Sequence, residues 1–392
     1  MNILFVTTDD VLRNSSSNIR NVALIKGLTQ IGHRITIACL CHGHKDDPGL
    51  RSVIQGVELV YLNKEFRNIK KQLPSSSLRT KLKCMLLSIY NKFRIFDQYV
   101  HYRIDIPNSI KDTKYDLLIS SSDPRSSHVL AKRIRKCYAS PIKWVQYWGD
   151  PMANDISSSR LVRPLIRMRE RQILNQADVI LYTNHQTVDY IKRTYGLTNK
   201  NINNIPTSFP LELKGCGFRN KGEGDKMIHL GYFGEYKKYM RNMDPLFEAV
   251  LSMEGCVLTL AGNTDYIVPN NHSIIKHPHL TSNQLEDVQS QMDILVVVEN
   301  RPAKTRPCVQ IPGKIFHYGL TNQKILVISE NGIIEKEFDQ YKRYKFCENT
   351  KESIVQAVCD LVNEKTKTMY SPVPEFYPEA VARKFEKICA KC

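Results

Sequence analysis

Residues 309–328 read V-Q-I-P-G-K-I-F-H-Y-G-L-T-N-Q-K-I-L-V-I. Pro312 and Gly313 open an amphipathic helical pattern that fades by Asn322 and feeds an apolar strand at 325–328. A helix N-terminus presents unpaired N–H groups and partial positive charge, so Gly313, Lys314 and Ile315 in its first turn suit an anion such as a nucleotide's phosphates. His317 follows in the same turn. An ordinary strand–helix unit with a solvated lysine fits the same letters.

A second cationic turn follows the strand pattern at 227–233. Gly234 is succeeded by Lys237, Lys238 and Arg241, then by a helix in which Asp244 is expected to cap and Pro245 to take the first helical position. No D-x-D pair and no His/Cys/Asp cluster at ligand spacing occurs, so no metal is expected. Any departing diphosphate would then depend on Lys314 and Arg241. Glu299 and Asn300 end the strand at 294–298, at the edge where open α/β sheets bind ligands. An acid there suits ribose hydroxyls, or is a plain loop acid.

In the first half of the chain, W-V-Q-Y-W-G-D-P (144–151) sets Trp148 and Asp150 just past another strand. A carboxylate at that place contacts a sugar hydroxyl or moves a proton; alternatively it caps a helix beside a core tryptophan. Asp9, Ser17 and Asn18 occupy the loop after the first strand, where polar groups are expected to face the same cleft. That loop carries S-S-S-N (15–18) where a dinucleotide-binding chain has G-x-G-x-x-G, which argues against a nicotinamide or flavin enzyme.

These residues hang on a regular alternation. Short, apolar, β-branched strand patterns fall at 3–7, 34–40, 57–62, 117–120, 142–146, 179–182 and 203–205, with helical patterns between many of them. A break rich in proline, glycine and mixed charge at 206–225 precedes a second series, at 227–233, 257–261, 273–276, 294–298 and 324–328. Continuous apolar strands alternating with helices mean parallel sheets covered on both faces: two α/β, doubly wound domains in succession. The expected division is 1–206, 207–375 and a last helix at 376–392, with the cleft between domains as the default site.

Bulk composition sets the limits. The 392 residues, 42% hydrophobic, are enough for two cores. No charged-then-apolar leader and no run of transmembrane length occurs, so a cytoplasmic protein is expected. Eleven cysteines, an odd number without a secretion signal, read as reduced structural thiols; Cys389 and Cys392 lack the second pair that a zinc site needs. The 56 Lys and Arg outnumber the 39 Asp and Glu, for a net charge of +17, which favours phosphate-rich partners.

Much of that charge gathers near 64–104. Ten basic residues between Lys64 and Arg103 stand against Glu65 and Asp97, while Leu82, Met85, Leu86, Ile89, Phe93, Phe96 and Val100 recur at helical spacing. A basic amphipathic helix of this kind suits peripheral contact with an anionic membrane, or equally a core-facing helix with a solvated back. Without zinc-finger spacing or a recognised helix-turn-helix, nucleic acid is not the expected partner.

Taken in order, several stretches resemble the GT-B glycosyltransferases, in particular the large family-four type of retaining enzymes. I-G-H-R-I-T-I (31–37) resembles that family's "GH-x-V" strand. S-S-S-D-P (120–124), W-V-Q-Y-W-G-D-P and N-Q-A-D-V-I-L-Y-T-N (175–184) resemble its first-domain motifs. L-T-L-A-G-N (258–263) and P-G-K-I-F-H-Y (312–318) resemble its donor domain. The resemblance implies two Rossmann-like domains facing across a cleft, with the last helix crossing back to the first. It also implies transfer of a sugar from a UDP- or GDP-sugar to a glycan or lipid-linked acceptor in cell-surface polysaccharide synthesis, with retention and without a cofactor. Gly234, Lys238, Arg241, Glu299, Gly313, Lys314, Ile315 and His317 would meet the donor. Asp9, Ser17, Asn18, Trp148 and Asp150 would meet the acceptor, and Asp150, Lys314 and Arg241 would carry the chemistry. Two departures stand out: the family's "GG" after the first strand is absent, and Val309 and His317 occupy the positions of its Glu-x7-Glu pair. A catalytically inactive GT-B scaffold is the alternative.

Overall fold

The computed structural model describes residues 1–43, 45–62, 93–102, 104–155, 158–211, 227–278, 280–301, 309–364 and 371–390. It divides into two compact units, Met1–Ile205 with Val381–Cys392, and Pro206–Ala380.

The first unit holds a seven-stranded, wholly parallel sheet: β1 (Asn2–Val6), β2 (Arg34–Cys39), β3 (Glu58–Tyr61), β4 (Leu117–Ser121), β5 (Lys143–Tyr147), β6 (Val179–Tyr182) and β7 (Ile202–Asn204), in the order β3-β2-β1-β4-β5-β6-β7. Successive side chains of a strand point to opposite faces, and here both faces are core. Ile3 and Phe5 join one buried cluster, Leu4 and Val6 another. Helices α1 (Ser16–Gln30), α2 (Pro48–Val53), α3 (Asn108–Lys111), α4 (Ser126–Arg135), α5 (Arg163–Leu174) and α6 (His185–Tyr195) follow along the chain. Ser15 caps α1 by accepting from the Asn18 amide at 3.3 Å.

The second unit holds six parallel strands: β8 (Ile228–Phe233), β9 (Cys256–Ala261), β10 (Ile274–His277), β11 (Ile294–Val298), β12 (Lys324–Ser329) and β13 (Tyr344–Glu348), in the order β10-β9-β8-β11-β12-β13. Its helices are α7 (Asp244–Ser252), α8 (Ser282–Ser290), α9 (Lys314–Tyr318), α10 (Ile333–Phe338) and α11 (Lys351–Asn363). The last helix, α12 (Pro378–Ala390), lays Val381, Ala382, Phe385 and Cys389 into the core of the first unit. In each sheet the chain reverses direction of winding beside its first strand. The switch points are therefore at β1/β4 and β8/β11, where loops diverge and leave a crevice beyond the strands' C-terminal ends.

Three local expectations need correction. Asp244 does not cap α7: Met243 is the N-cap, no side chain caps it, and Asp244 sits in the first turn. The helix begun at Gly313 spans only Lys314–Tyr318. At its end the buried Arg343 holds the carbonyls: Nη1 donates to Gly319 O at 2.7 Å, and Nη2 lies 2.6 Å from Thr321 O and 3.3 Å from Tyr318 O. Most of the basic segment near 64–104 lies outside the described residues. In its described end, Ile95 and Phe96 pack against the core around Trp148, and the backbone forms a 3-10 turn at Gln98–His101 capped by Asp97. The apolar stripe is thus not one continuous helix through Val100.

Among the described residues no helix is long and apolar enough to cross a membrane, and no group of three His, Cys, Asp or Glu could hold a metal ion.

Candidate functional site

At the β8/β11 switch point, β8 is followed by Gly234, whose φ is +141°, so the backbone turns away through a region open to glycine alone. A Cβ on Gly234 would lie 1.6 Å from Lys314 Nζ. The lysine of α9 therefore rests directly on the bare backbone at the end of β8, with Nζ 5.9 Å from the centre of the Tyr232 ring. Gly262, at the end of β9, makes the neighbouring close approach: a Cβ there would meet Gly234 O at 2.1 Å.

Arg241 completes this corner. Its Nε donates to Val298 O at 3.0 Å and its Nη1 to Glu235 O at 2.5 Å, so the guanidinium braces the end of β11 against the loop after β8. Its Nη2 is used by neither bond. Burial of Lys314, helped by the nearby positive charge of Arg241 and opposed by Glu235, lowers its pKa to about 7. Two cations held close without a carboxylate bonded to Lys314 are an unsatisfied arrangement that an anion would relieve.

His317 lies one turn along α9, its ring stacked on Phe209 with centroids 3.6 Å apart and planes 8° from parallel. Burial and then the Lys314 charge push its pKa down to about 3, so the imidazole is neutral, and its buried Nε2 has no partner among the described residues.

The remaining donor-side candidates sit differently from the expectation. Glu299 is fully buried and its carboxylate is already occupied: Oε2 accepts from Ser329 Oγ (3.0 Å), Glu330 N (2.7 Å) and Asn331 N (2.9 Å), and Oε1 from Ile334 N (3.2 Å). It shapes the loop before α10. Lys238 turns its ammonium over the Tyr266 ring, 5.4 Å from the centroid, while its amide bonds Asp265. The Ile315 side chain is core and its amide donates to Pro312 O at 3.1 Å, so that N–H is not an open donor. Gly313 is exposed, with nothing within 4 Å of a Cβ position. The structure thus gathers Gly234, Arg241, Lys314 and His317. It adds Gly262, Tyr232 and Phe209, which sequence reasoning missed; only the A-G-N run after β9 signalled any of them.

In the first unit, the β1/β4 switch point gathers charged side chains from α1 and from the segments that follow β4 and β5. Arg20 reaches from α1 to Ser121 Oγ (3.3 Å) and Ser122 O, lying 4.8 Å over the Tyr147 ring. Gly149 makes room for it, since a Cβ there would stand 2.2 Å from Arg20 Nη1. Arg125 pairs with Asp155 and lies 3.9 Å from Asp123. Asp150 follows Gly149 and is partly exposed, with no hydrogen bond among the described residues. Burial, then the Asp123 carboxylate, raise its pKa to about 7 against the pull of Arg20.

The other acceptor-side candidates are interior. Trp148 is fully buried between His128 (4.0 Å) and Tyr182 (6.2 Å), with Nε1 donating to Gln146 Oε1, and offers no free face for a sugar. Asp9 is bound by Arg13 at 2.6 Å and Asn18 at 3.1 Å. Asn18 is also fully buried, its amide nitrogen within 2.8 Å of Asp10 O. Both tie the loop after β1. Ser17 is half-exposed, 3.2 Å from Ser15 Oγ.

No protein-family model matches the sequence, and no curated protein does. Solved structures do. HepE from Anabaena, in complex with UDP and glucose, superposes with a TM-score of 0.64 at 11% identity, covering 100% of both chains. Sucrose-phosphate synthase from Thermosynechococcus elongatus gives 0.60 at 12% identity over 100% of this chain and 96% of that one. A glycosyltransferase from Rickettsia africae gives 0.58 at 12% identity, over 100% and 98%. At such identities the likeness establishes the fold, which is GT-B.

Proposed function

We propose that the protein transfers a sugar from a UDP- or GDP-sugar to a glycan or lipid-linked oligosaccharide in cell-surface polysaccharide synthesis. The observation that carries this reading is the placement of Lys314 on Gly234 beside Arg241, at the switch point of the second sheet. The solved HepE structures hold UDP or UDP-glucose on the same fold, which supports a nucleotide-sugar here.

When the bond between the anomeric carbon and the diphosphate breaks, the electron pair and negative charge go to the departing phosphate oxygen. Lys314 and Arg241 are preorganised to meet that charge, which removes the need for a metal ion. With a pKa of about 7 in the free protein, Lys314 becomes fully cationic once a diphosphate lies against it. The neutral His317, through Nε2, is suited to a ribose hydroxyl in place of the missing acid. In the first unit, Asp150 takes the proton from the acceptor hydroxyl, and its raised pKa suits that exchange. Retention of anomeric configuration belongs to this reading through the family resemblance.

The test is to incubate the protein with UDP-, GDP-, ADP- and CMP-sugars, with and without chelator, and measure nucleotide release and protection against thermal unfolding. Release of UDP or GDP that survives chelation supports the reading. A protein that neither binds nor turns over any of the four sinks it.

A further inference from the structure

Among the described residues, helix α5 carries an uncovered outer face of unusual composition. Ile166, Ile173 and Leu174 are turned into the core, and so is Glu170, the helix's one acid. Its carboxylate accepts from the amides of Met152 (2.6 Å) and Ala153 (3.0 Å) and from the Tyr195 hydroxyl. On the outer side Leu165 and Met168 are 43% and 45% exposed, and Leu161, in the 3-10 turn Arg160–Val162 that leads into the helix, is 80% exposed. Leu165 and Met168, three residues apart, share one side of the helix as a short apolar stripe, with Leu161 just ahead of it in the chain. By helical spacing Arg167 and Arg171 border the stripe on one side and Arg169 on the other, Arg160 lies in the turn before the helix, and all four are exposed. Single exposed apolar side chains are ordinary, but three so near one another in the chain, among arginines, are not.

We propose that this face docks the protein on the anionic surface of a lipid bilayer. The stripe would enter the boundary between headgroups and acyl chains, and the arginines would lie along it with their guanidinium groups among the lipid phosphates. Charge complementarity selects this occupant. Two-fold pairing with a second copy sets arginine rows against each other, since the helix has no exposed carboxylate to answer them. A nucleic acid answers the arginines but leaves the apolar stripe against phosphate. None of the residues of this face is among those assigned to the donor or to the acceptor proton, so it stands or falls separately from sugar transfer.

The test is co-sedimentation of the full chain with phosphatidylcholine vesicles, with and without about one third phosphatidylglycerol. Binding is expected only to the anionic vesicles, and is expected to weaken as salt rises to about 0.5 M. The L161Q/L165Q/M168Q protein should lose binding. The R160Q/R167Q/R171Q protein should bind about a hundredfold more weakly, from a factor of about five per arginine. Ile267→Gln, altering a residue 90% exposed in the second unit, should bind like the parent. All these positions are exposed, so circular dichroism and Tm should be unchanged. The proposal is overturned if the parent ignores anionic vesicles or if either triple variant binds as well as the parent. It is equally overturned if the arginine variant loses an oligonucleotide while the apolar variant keeps its lipid. Nucleotide release from a sugar donor, measured on the same variants without lipid, should match the parent's.

Discussion

The ammonium group of Lys314 fills the space that a side chain on Gly234 would need, since a Cβ there would stand 1.6 Å from Nζ. Eighty residues of chain separate the two, and only the closing of β8 beside β11 brings them together. Replacing Gly234 with alanine therefore has two consequences. The backbone at φ +141° is strained by any Cβ, at a cost of roughly 1–3 kcal/mol, and Lys314 must leave its place. Lower stability by denaturant titration together with weaker nucleotide binding is the expected result. Gly262→Ala should do the same through Gly234 O, which it would meet at 2.1 Å.

Gly313→Ala makes a contrasting case. Nothing lies within 4 Å of its Cβ position and its φ of −57° suits any residue, so stability should change by less than about 0.5 kcal/mol. A rise in the KM for the nucleotide-sugar at unchanged stability would then report a ligand passing over this turn.

The lowered pKa of Lys314 gives donor binding a pH dependence. Free Lys314 loses its proton near pH 7, and a bound diphosphate holds the proton on, so binding above that pH takes a proton from solution. Affinity should fall as pH rises from about 7 to 9, approaching tenfold per unit, and Lys314→Arg should flatten the profile because arginine stays charged. Titration calorimetry in buffers of different ionisation enthalpy reads the proton uptake directly.

The raised pKa of Asp150 gives stability a pH dependence of its own. Its pKa of about 7 lies above the unfolded value near 3.9, so between those values the folded protein holds the extra proton. Its contribution is present below about pH 4 and is lost as pH rises toward 7. Solvent still reaches the group, so the effect should be on the order of 1–2 kcal/mol. Asp150→Asn should remove that share of the pH dependence and slow transfer, with less effect on donor KM.

Arg343→Met tests what positions α9. The buried guanidinium lies near five carbonyl oxygens, of Tyr318, Gly319, Thr321, Gln323 and Ser371. Leaving them unpaired should cost about 3 kcal/mol by denaturant unfolding. Lys314 should then bind nucleotide less well although no contact to it was removed.

Parallel strands buried on both faces are continuous apolar runs, and for that reason β6, β11 and their neighbours could be read directly from the letters. The edge strand β13 (Y-K-F-C-E) alternates polar and apolar residues and went unnoticed, as did the short helices α2 and α10. Strand ends told where polar groups would gather, which put Lys314, Arg241 and Asp150 among the candidates. What one-dimensional reading lacked was partner occupancy. Glu299 and Asp9 are equally well placed in the sequence, yet the folded chain spends both carboxylates on its own loops. Trp148 follows a strand end but turns inward, because His128 and Tyr182 complete a buried stack around it.

Titration of UDP and GDP into the parent and into a folded Lys314→Ala protein tests the central claim most directly. The parent should bind one of them with one site per chain, and the variant at least about thirtyfold more weakly, as loss of a charge-assisted contact worth about 2 kcal/mol requires. Equal affinities in the two proteins, or no binding by the parent, would contradict the assignment of this corner to a departing diphosphate.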